Sequence, residues 1–203
     1  MKHEIHNMFP TGIIRYHMDR EFTADEIDFA NYNKTSTYQN SGNVTSAEKY
    51  VLRNQRMNDV TSFIYSAIKI YVDNIIKPSN NVEFYITQSW FNYTTPFGHH
   101  HAHNHGNSII SGVLYFNADQ NFDNITFFNP RKERIVFSHN EYTQYNSNSW
   151  MMPASTGMMY LFPSDLFHEV TMKAGENERI SLAFNVFAKG HLGNEDQLTS
   201  LYL

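Results

Sequence analysis

The chain has 203 residues, 41% of them hydrophobic and 15% aromatic, which is enough to bury a core and sets aside wholesale disorder. The formal charge of −5, from 15 Lys and Arg against 20 Asp and Glu with no basic run, argues against nucleic acid as a partner. Zero Cys removes disulfides, thiolate metal sites and Cys nucleophiles together, so any metal must be held by nitrogen and oxygen ligands.

No apolar run approaches the roughly 18 to 20 residues needed to cross a bilayer, and Met1 to Gly12 lacks the apolar core of a signal peptide. A soluble, cytoplasmic, single-domain protein over 1–203 is therefore expected. Residues 1–50 read as an irregular segment rich in Asn, Ser and Thr. Between Gln55 and Lys77, Met57, Val60, Phe63, Ile64, Ile68, Tyr71, Val72, Ile75 and Ile76 recur at three- and four-residue steps, the mark of a helix with one buried face, stopped by Pro78. It reads as the one strong helix, packed outside the rest.

From Val82 onward the pattern is short, β-branched and aromatic segments between Asn, Gly, Pro and Ser clusters. Strands are expected at Val82 to Tyr93, Ile109 to Phe116, Ile125 to Phe128, Arg134 to Phe137, Met158 to Phe162, Glu169 to Thr171 and Arg179 to Phe187. Such a run implies a sandwich, jelly roll or barrel over 82–190, with a tail at 191–203. The polar stretch Asn140 to Ser149 reads as a surface loop that Tyr142, Tyr145 and Trp150 could tether, and the apolar end Leu198 to Leu203 as a segment that docks on this or a neighbouring chain.

Histidine is the compositional anomaly. Of 11 in the chain, five fall between His99 and His105 in the run His99-His100-His101-Ala102-His103-Asn104-His105. In an extended strand, residues two apart share a side, so His99, His101, His103 and His105 project together unless a bulge intervenes. Any two can chelate an ion that accepts imidazole, such as Fe, Zn, Cu or Ni. A tract of this kind also serves as an adventitious Zn or Ni binder. Further along stand His168, next to an apolar segment, and Arg179 and Ser181, which share a strand face. A paired His, a remote His and an Arg-x-Ser form a constellation more specific than the tract alone.

On these residues the sequence resembles the Fe(II)- and 2-oxoglutarate-dependent dioxygenases, in particular a small subgroup found in phage and marine microbial genomes. The resemblance runs through Asn7-Met8-Phe9-Pro10-Thr11, Ser89-Trp90-Phe91-Asn92, His103 to Tyr115, Phe128-Asn129-Pro130-Arg131, Leu161-Phe162-Pro163 to His168, and Arg179-Ile180-Ser181 to Asn185. It implies a mainly β fold, the double-stranded β-helix or cupin-like jelly roll, with the metal at its open end. It also implies oxygen chemistry on Fe(II) with 2-oxoglutarate and O2, yielding succinate and CO2 and hydroxylating a protein side chain or small molecule, in host cytoplasm if the gene is phage-borne.

The resemblance implies His103, His105 and His168 as metal ligands, with His105 standing where a carboxylate is usual. Other pairs within the tract, and Asp165 or Asp119 as a carboxylate donor, stay open. Arg179 would pair with the distal carboxylate of 2-oxoglutarate, with Ser181 and Tyr115 beside it, and Arg131 would anchor substrate or stabilise a turn. Trp90 and Asn185 read as supporting residues. Two other readings remain: a non-catalytic His-rich metal-binding module, and a tris-histidine cupin-type enzyme that does not use 2-oxoglutarate.

Overall fold

A computed structural model describes residues 1–131 and 135–203. Among them, β1 (Ile14–His17), β2 (Thr37–Asn40), β3 (Asn43–Ser46), β4 (Val82–Thr94), β6 (Ile110–Asn117), β9 (Met158–Pro163), β11 (Arg179–Leu192) and β12 (Leu201–Tyr202) build a large antiparallel sheet. Its order is β1-β9-β6-β11-β4-β3-β2, with β12 on the far end of β11. A smaller sheet runs β5 (His100–His103), β10 (His168–Val170), β7 (Asn124–Phe128), β8 (Ser149–Pro153). Two antiparallel sheets face to face make the expected jelly roll.

The alternation of β11 decides the layering. Ile180, Leu182, Phe184 and Val186 point to one side of the large sheet and pack with Phe91, Tyr93 and Leu114 against α1 (Ala24–Asn33) and α2 (Asn58–Tyr71). Residues on the other face, Tyr115 among them, meet Ile125, Phe127, Tyr160 and Phe162 in a second core between the sheets. Each fully buried aromatic or aliphatic side chain contributes about 1.5 to 3 kcal/mol. The site lies at the open part of this second layer, walled by rigid strands.

The helix expected from Gln55 to Lys77 divides in three: a 3-10 turn Gln55–Met57, the α-helix α2, and a π-turn Val72–Ile76 closed by Lys77 at φ 48°. Val60, Ile64, Ala67, Ile68 and Tyr71 are its buried face, whereas Ile75 and Ile76 are exposed. Widening the last turn rotates them off the core stripe.

Residues 1–13 carry no regular element, as expected, but residues 14–50 are not irregular. They hold β1, the β2–β3 hairpin and α1, whose start is a capping box: Glu26 N–H donates to Thr23 Oγ1 at 3.2 Å and Thr23 N–H to Glu26 Oε2 at 2.8 Å. Arg20 completes it, Nη2 lying 2.6 Å from the buried Glu26 Oε1. Burial pushes that carboxyl up, but the bonds from Arg20 and Thr23 outweigh it and hold it below its ordinary range.

The strand expected at Arg134 to Phe137 is not present over Ile135 to Phe137, which is exposed and unpaired, and Arg134 falls outside the described residues. Apolar composition alone cannot make a strand where no sheet edge is at hand. Tyr145 ties its loop to the N-terminal segment, donating to Asn7 Oδ1 at 2.6 Å, while Trp150 belongs to β8. The C-terminal segment docks on its own chain, β12 pairing His191 and Leu192. Among the described residues no helix is long and apolar enough to cross a membrane.

Candidate metal and co-substrate site

β5 and β10 set two of the three histidines opposite each other, His103 in direct antiparallel register with His168. The chain then turns out of β5, and the bond from His105 N–H to the Ser164 carbonyl at 2.9 Å brings the third back over the same point. The ring centroids lie 4.3 Å apart for His103 and His168, 5.1 Å for His103 and His105, and 5.2 Å for His105 and His168. One nitrogen from each lies within 4.8 Å of the other two.

Tautomers follow from the partners. His103 Nδ1 faces the His101 carbonyl at 2.8 Å, His168 Nδ1 the Leu166 carbonyl at 3.0 Å, and His105 Nδ1 the Asn185 Oδ1 at 2.5 Å. All three partners accept, so each Nδ1 carries the proton and each Nε2 keeps a lone pair. Ser111 Oγ donates to Asn185 Oδ1 at 3.1 Å and so fixes the amide that fixes His105. Burial, reinforced by the neighbouring His103, lowers His168 to about 3, and burial also lowers His103 and His105. At neutral pH the three are uncharged, the form that binds a metal.

The even spacing of the tract is broken. A register shift lies between the pairs His168–His103 and Val170–His100, so His100 and not His101 stacks on His103, at 4.3 Å. This is the bulge condition under which strict alternation fails. His100, His101 and His103 form a second group with close nitrogens, but His100 Nε2 accepts from Asn40 Nδ2 at 3.1 Å and His101 is exposed. Only the inner group offers three uncommitted lone pairs. His99 packs over Gly42, whose φ of 80° the β2–β3 turn requires. Asp165 is exposed and Asp119 Oδ1 is taken by Asn121, and neither belongs to a metal-competent group among the described residues.

Behind the imidazoles the pocket closes on Arg179, 2% exposed at the start of β11. Nη2 donates to Thr94 Oγ1 at 3.2 Å and Nη1 to the Asn124 carbonyl at 3.4 Å, while Nε is buried with no partner. No carboxylate pairs with it among the described residues. Burial lowers its pKa, with Tyr115 and Asp123 opposing, so a buried guanidinium waits for an anion. Ser181 is registered beside Tyr115, and both line the pocket. Burial raises the Tyr115 phenol, keeping it an O–H donor. Arg131 is elsewhere: its guanidinium donates to the Met8 carbonyl at 2.9 Å, and its backbone N–H is held by Asn129 Oδ1.

Three neutral imidazoles therefore suit a borderline divalent ion, and the closed end suits a carboxylate. Both lie within the stretch that matches a known family. Residues 88–185 match the family model described as "Putative 2OG-Fe(II) oxygenase". Over those residues, just under half of the chain, it is similar to the 2OG-Fe(II) oxygenases, enzymes of a class that takes Fe(II) and 2-oxoglutarate.

The fold is shared widely. A Pseudomonas putida prolyl-4-hydroxylase is 13% identical, with 87% of this chain and 92% of that one covered at a TM-score of 0.56. HygX from Streptomyces hygroscopicus, solved with nickel, 2-oxoglutarate and hygromycin B, is 10% identical over 87% and 82% at 0.59. The α-ketoglutarate-dependent epimerase SnoN from nogalamycin biosynthesis is 9% identical over 88% and 78% at 0.63. At such identities the likeness carries the fold alone. No curated protein matches the sequence significantly.

The resemblance names His103, His105, His168, Arg179, Ser181 and Tyr115, and all of them line one pocket. It gives no role to Asn92, Thr94 or His100, which also line or brace the pocket. Trp90, Asn92 and Thr94 alternate on β4, so one face was legible, but nothing in their spacing says that face is a pocket wall.

Proposed function

We propose that this protein is a 2OG-Fe(II) oxygenase that hydroxylates a C–H bond of a protein side chain or small molecule, with His103, His105 and His168 holding Fe(II) through Nε2. When bound, Fe(II) with 2-oxoglutarate and O2 supplies the oxidising power, with succinate and CO2 as co-products. The chain's own residues bind, orient and shield. His101, Leu166 and Asn185 hold the imidazoles in the ligating tautomer. Arg179 pairs with the distal carboxylate of 2-oxoglutarate, a charge-assisted bond worth about 1.5 to 3 kcal/mol. Ser181 and Tyr115 add hydroxyl donors beside it. Val113, Ile125, Phe162 and Val170 line the pocket with apolar surface that keeps water away from the reacting groups.

One observation carries the reading: three uncharged imidazoles with free Nε2 atoms share a pocket with a buried arginine that has no acidic partner among the described residues. Anaerobic addition of Fe(II) and 2-oxoglutarate should give the visible charge-transfer band of the chelate. His168→Ala should abolish stoichiometric metal binding and His99→Ala should leave it intact. Arg179→Gln should weaken 2-oxoglutarate by about 10- to 100-fold at constant metal content. Metal bound with no such band would refute the assignment, and equal metal loss in both His variants would refute the ligand set.

A further inference from the structure

Trp150 ends a row of side chains that begins at the metal site. His103 is in register with His168, His168 with Phe127 and Phe127 with Trp150, so all four share the inward face of the smaller sheet. Trp150 stands on the edge strand β8, two strand spacings or about 10 Å of backbone from His168, and it is 49% exposed. Beside it the loop before β8 walls a cavity of about 420 Å³, lined by Tyr142, Ser147, Asn148, Ser149, Trp150 and Met151. That volume falls within the range of small-molecule sites. The loop is braced. Asn146 Oδ1 accepts from the Thr143 N–H at 2.7 Å, and its Nδ2 donates to the Glu141 carbonyl at 3.0 Å. Asn129 clasps the far end, its N–H donating to the Asn148 carbonyl at 2.8 Å and its Nδ2 to the Ser147 carbonyl at 3.0 Å. A wall held in this way loses little freedom when a ligand arrives.

Ser147 marks the place of a ligand. It is 7% exposed, its N–H donates to the Thr143 carbonyl at 3.0 Å and its carbonyl is taken by Asn129, but its buried Oγ has no partner among the described residues. A stranded hydroxyl is a cost that alanine would avoid, and buried polar groups nearly always find partners. In the wall of an open cavity, such a group awaits the polar atom of a bound molecule. The lining says which molecule. An indole, a phenol, two hydroxyls, an amide and a thioether carry no formal charge, so an ion would shed water there without meeting a counter-charge. The hydroxyls both donate and accept, as the groups of a polyol do. The flat, electron-rich face of Trp150 attracts the polarised C–H bonds of a saturated ring. An apolar C–H face edged with hydroxyls is the chemistry of a sugar.

We propose that this cavity is a saccharide-binding site, in which a neutral sugar ring stacks on Trp150 and hydrogen-bonds to Ser147 Oγ. Carried on the same row as His103 and His168, the sugar lies beside the metal pocket and not inside it. No residue lines both cavities, so the site does not depend on the co-substrate reading.

The test is titration of the full chain with maltose, cellobiose, lactose, mannobiose and chitobiose at millimolar concentration, read by tryptophan fluorescence and calorimetry. Galacturonic acid, glucosamine and a neutral peptide rich in Pro and Gly serve as controls. The chain has two tryptophans, so Trp90→Phe leaves Trp150 as the sole reporter. At least one neutral disaccharide should saturate the signal in wild type and in Trp90→Phe, and both charged sugars should bind more weakly. Trp150→Ala should weaken that disaccharide about 30-fold or more. Ser147→Ala should weaken it about 3- to 10-fold at unchanged melting temperature, because Oγ bonds to no described residue. Failure of all five disaccharides to bind, unchanged affinity in Trp150→Ala, or binding of the peptide in their place overturns the proposal. A lower melting temperature in Ser147→Ala would assign the hydroxyl to the fold and overturn its role as a ligand contact. Titration with 2-oxoglutarate is a separate measurement, so any of these failures leaves the oxygenase reading standing.

Discussion

At the scale of single residues the unusual choice is His105. In the proposed ligand set it stands where the family that the chain resembles usually has a carboxylate, and an imidazole there would leave the full double charge of a bound ion unneutralised, strengthening its pull on an anionic co-substrate and weakening its preference for Fe(II) over Zn or Ni. Asn185 is the residue that makes the exchange workable. Its Oδ1 holds His105 Nδ1–H and turns Nε2 inward, and a carboxylate would need no such partner. His105→Asp should keep Fe(II) bound, shift metal selectivity towards iron over zinc, and weaken 2-oxoglutarate by about tenfold. Metal analysis after loading with mixed ions, with titration of the co-substrate, checks both halves; unchanged 2-oxoglutarate affinity at full iron occupancy would remove the electrostatic argument. The tract from His99 to His105 stands out by composition, but which of its histidines join the remote His168 comes from the family resemblance and not from spacing. Asn185 reads in the sequence only as a supporting residue, because a single Asn has no signature of its own and its hold on His105 comes from strand register, β11 with β4 and β6.

At the scale of elements, α2 and strands β4, β6, β7, β9 and β11 were legible because each carries a long apolar repeat that a core demands. β2 and β3, Thr-Tyr-Gln-Asn and Asn-Val-Thr-Ser, are short, polar and near a sheet edge, where pairing and not burial makes the strand. α1 has little apolar periodicity; its trace in the sequence is the Thr23-x-x-Glu26 box. β5 is histidine almost throughout and exists because β10 pairs with it. The starts of β7 and β11 are clamped by a fully buried ion pair, Lys173 Nζ 3.0 Å from Asp123 Oδ1, with Asn177 bridging at 2.6 Å to Lys173 and 3.0 Å to Asp123. That clamp also holds Asn124, whose carbonyl receives Arg179. Removing one member strands the other charge, so Lys173→Met should cost about 3 to 5 kcal/mol in denaturant unfolding. Adding Asp123→Asn should return part of it, with a coupling of more than about 1 kcal/mol. Additive losses would mean that the pair does not act as a unit.

At the scale of the whole molecule, clustering four histidines in one buried place ties stability to pH. Burial, then the charges of His103, His101 and His168, brings His100 to about 3; burial, then His103, brings His168 to about 3; burial lowers His103 and His105 as well. In the unfolded chain each returns to its ordinary value near 6.5. Between about 3 and 6.5 the unfolded state thus binds protons that the native state refuses, and stability rises with pH across that window. Read downward, the metal-free protein should lose melting temperature as the pH falls from about 7 towards 4, since no metal is there to hold the rings neutral. Acidic groups held below their ordinary range, such as Glu26, act with the same sign but only below about 4.5, so the upper part of the window belongs to the histidines. Bound metal adds its own binding free energy to the native state, and that increment also disappears with acid, because protons compete for the same Nε2 atoms. Melting curves of stripped and Zn(II)-loaded protein between pH 5 and 8 should diverge at the high end and converge at the low end. Replacing both His100 and His168 by Gln should flatten the metal-free curve above pH 5. A metal-free melting temperature that does not change between pH 5 and 7, or a double variant as acid-sensitive as the parent, would show that the cluster takes up protons freely in the native state and lacks the dry environment that makes it a metal site.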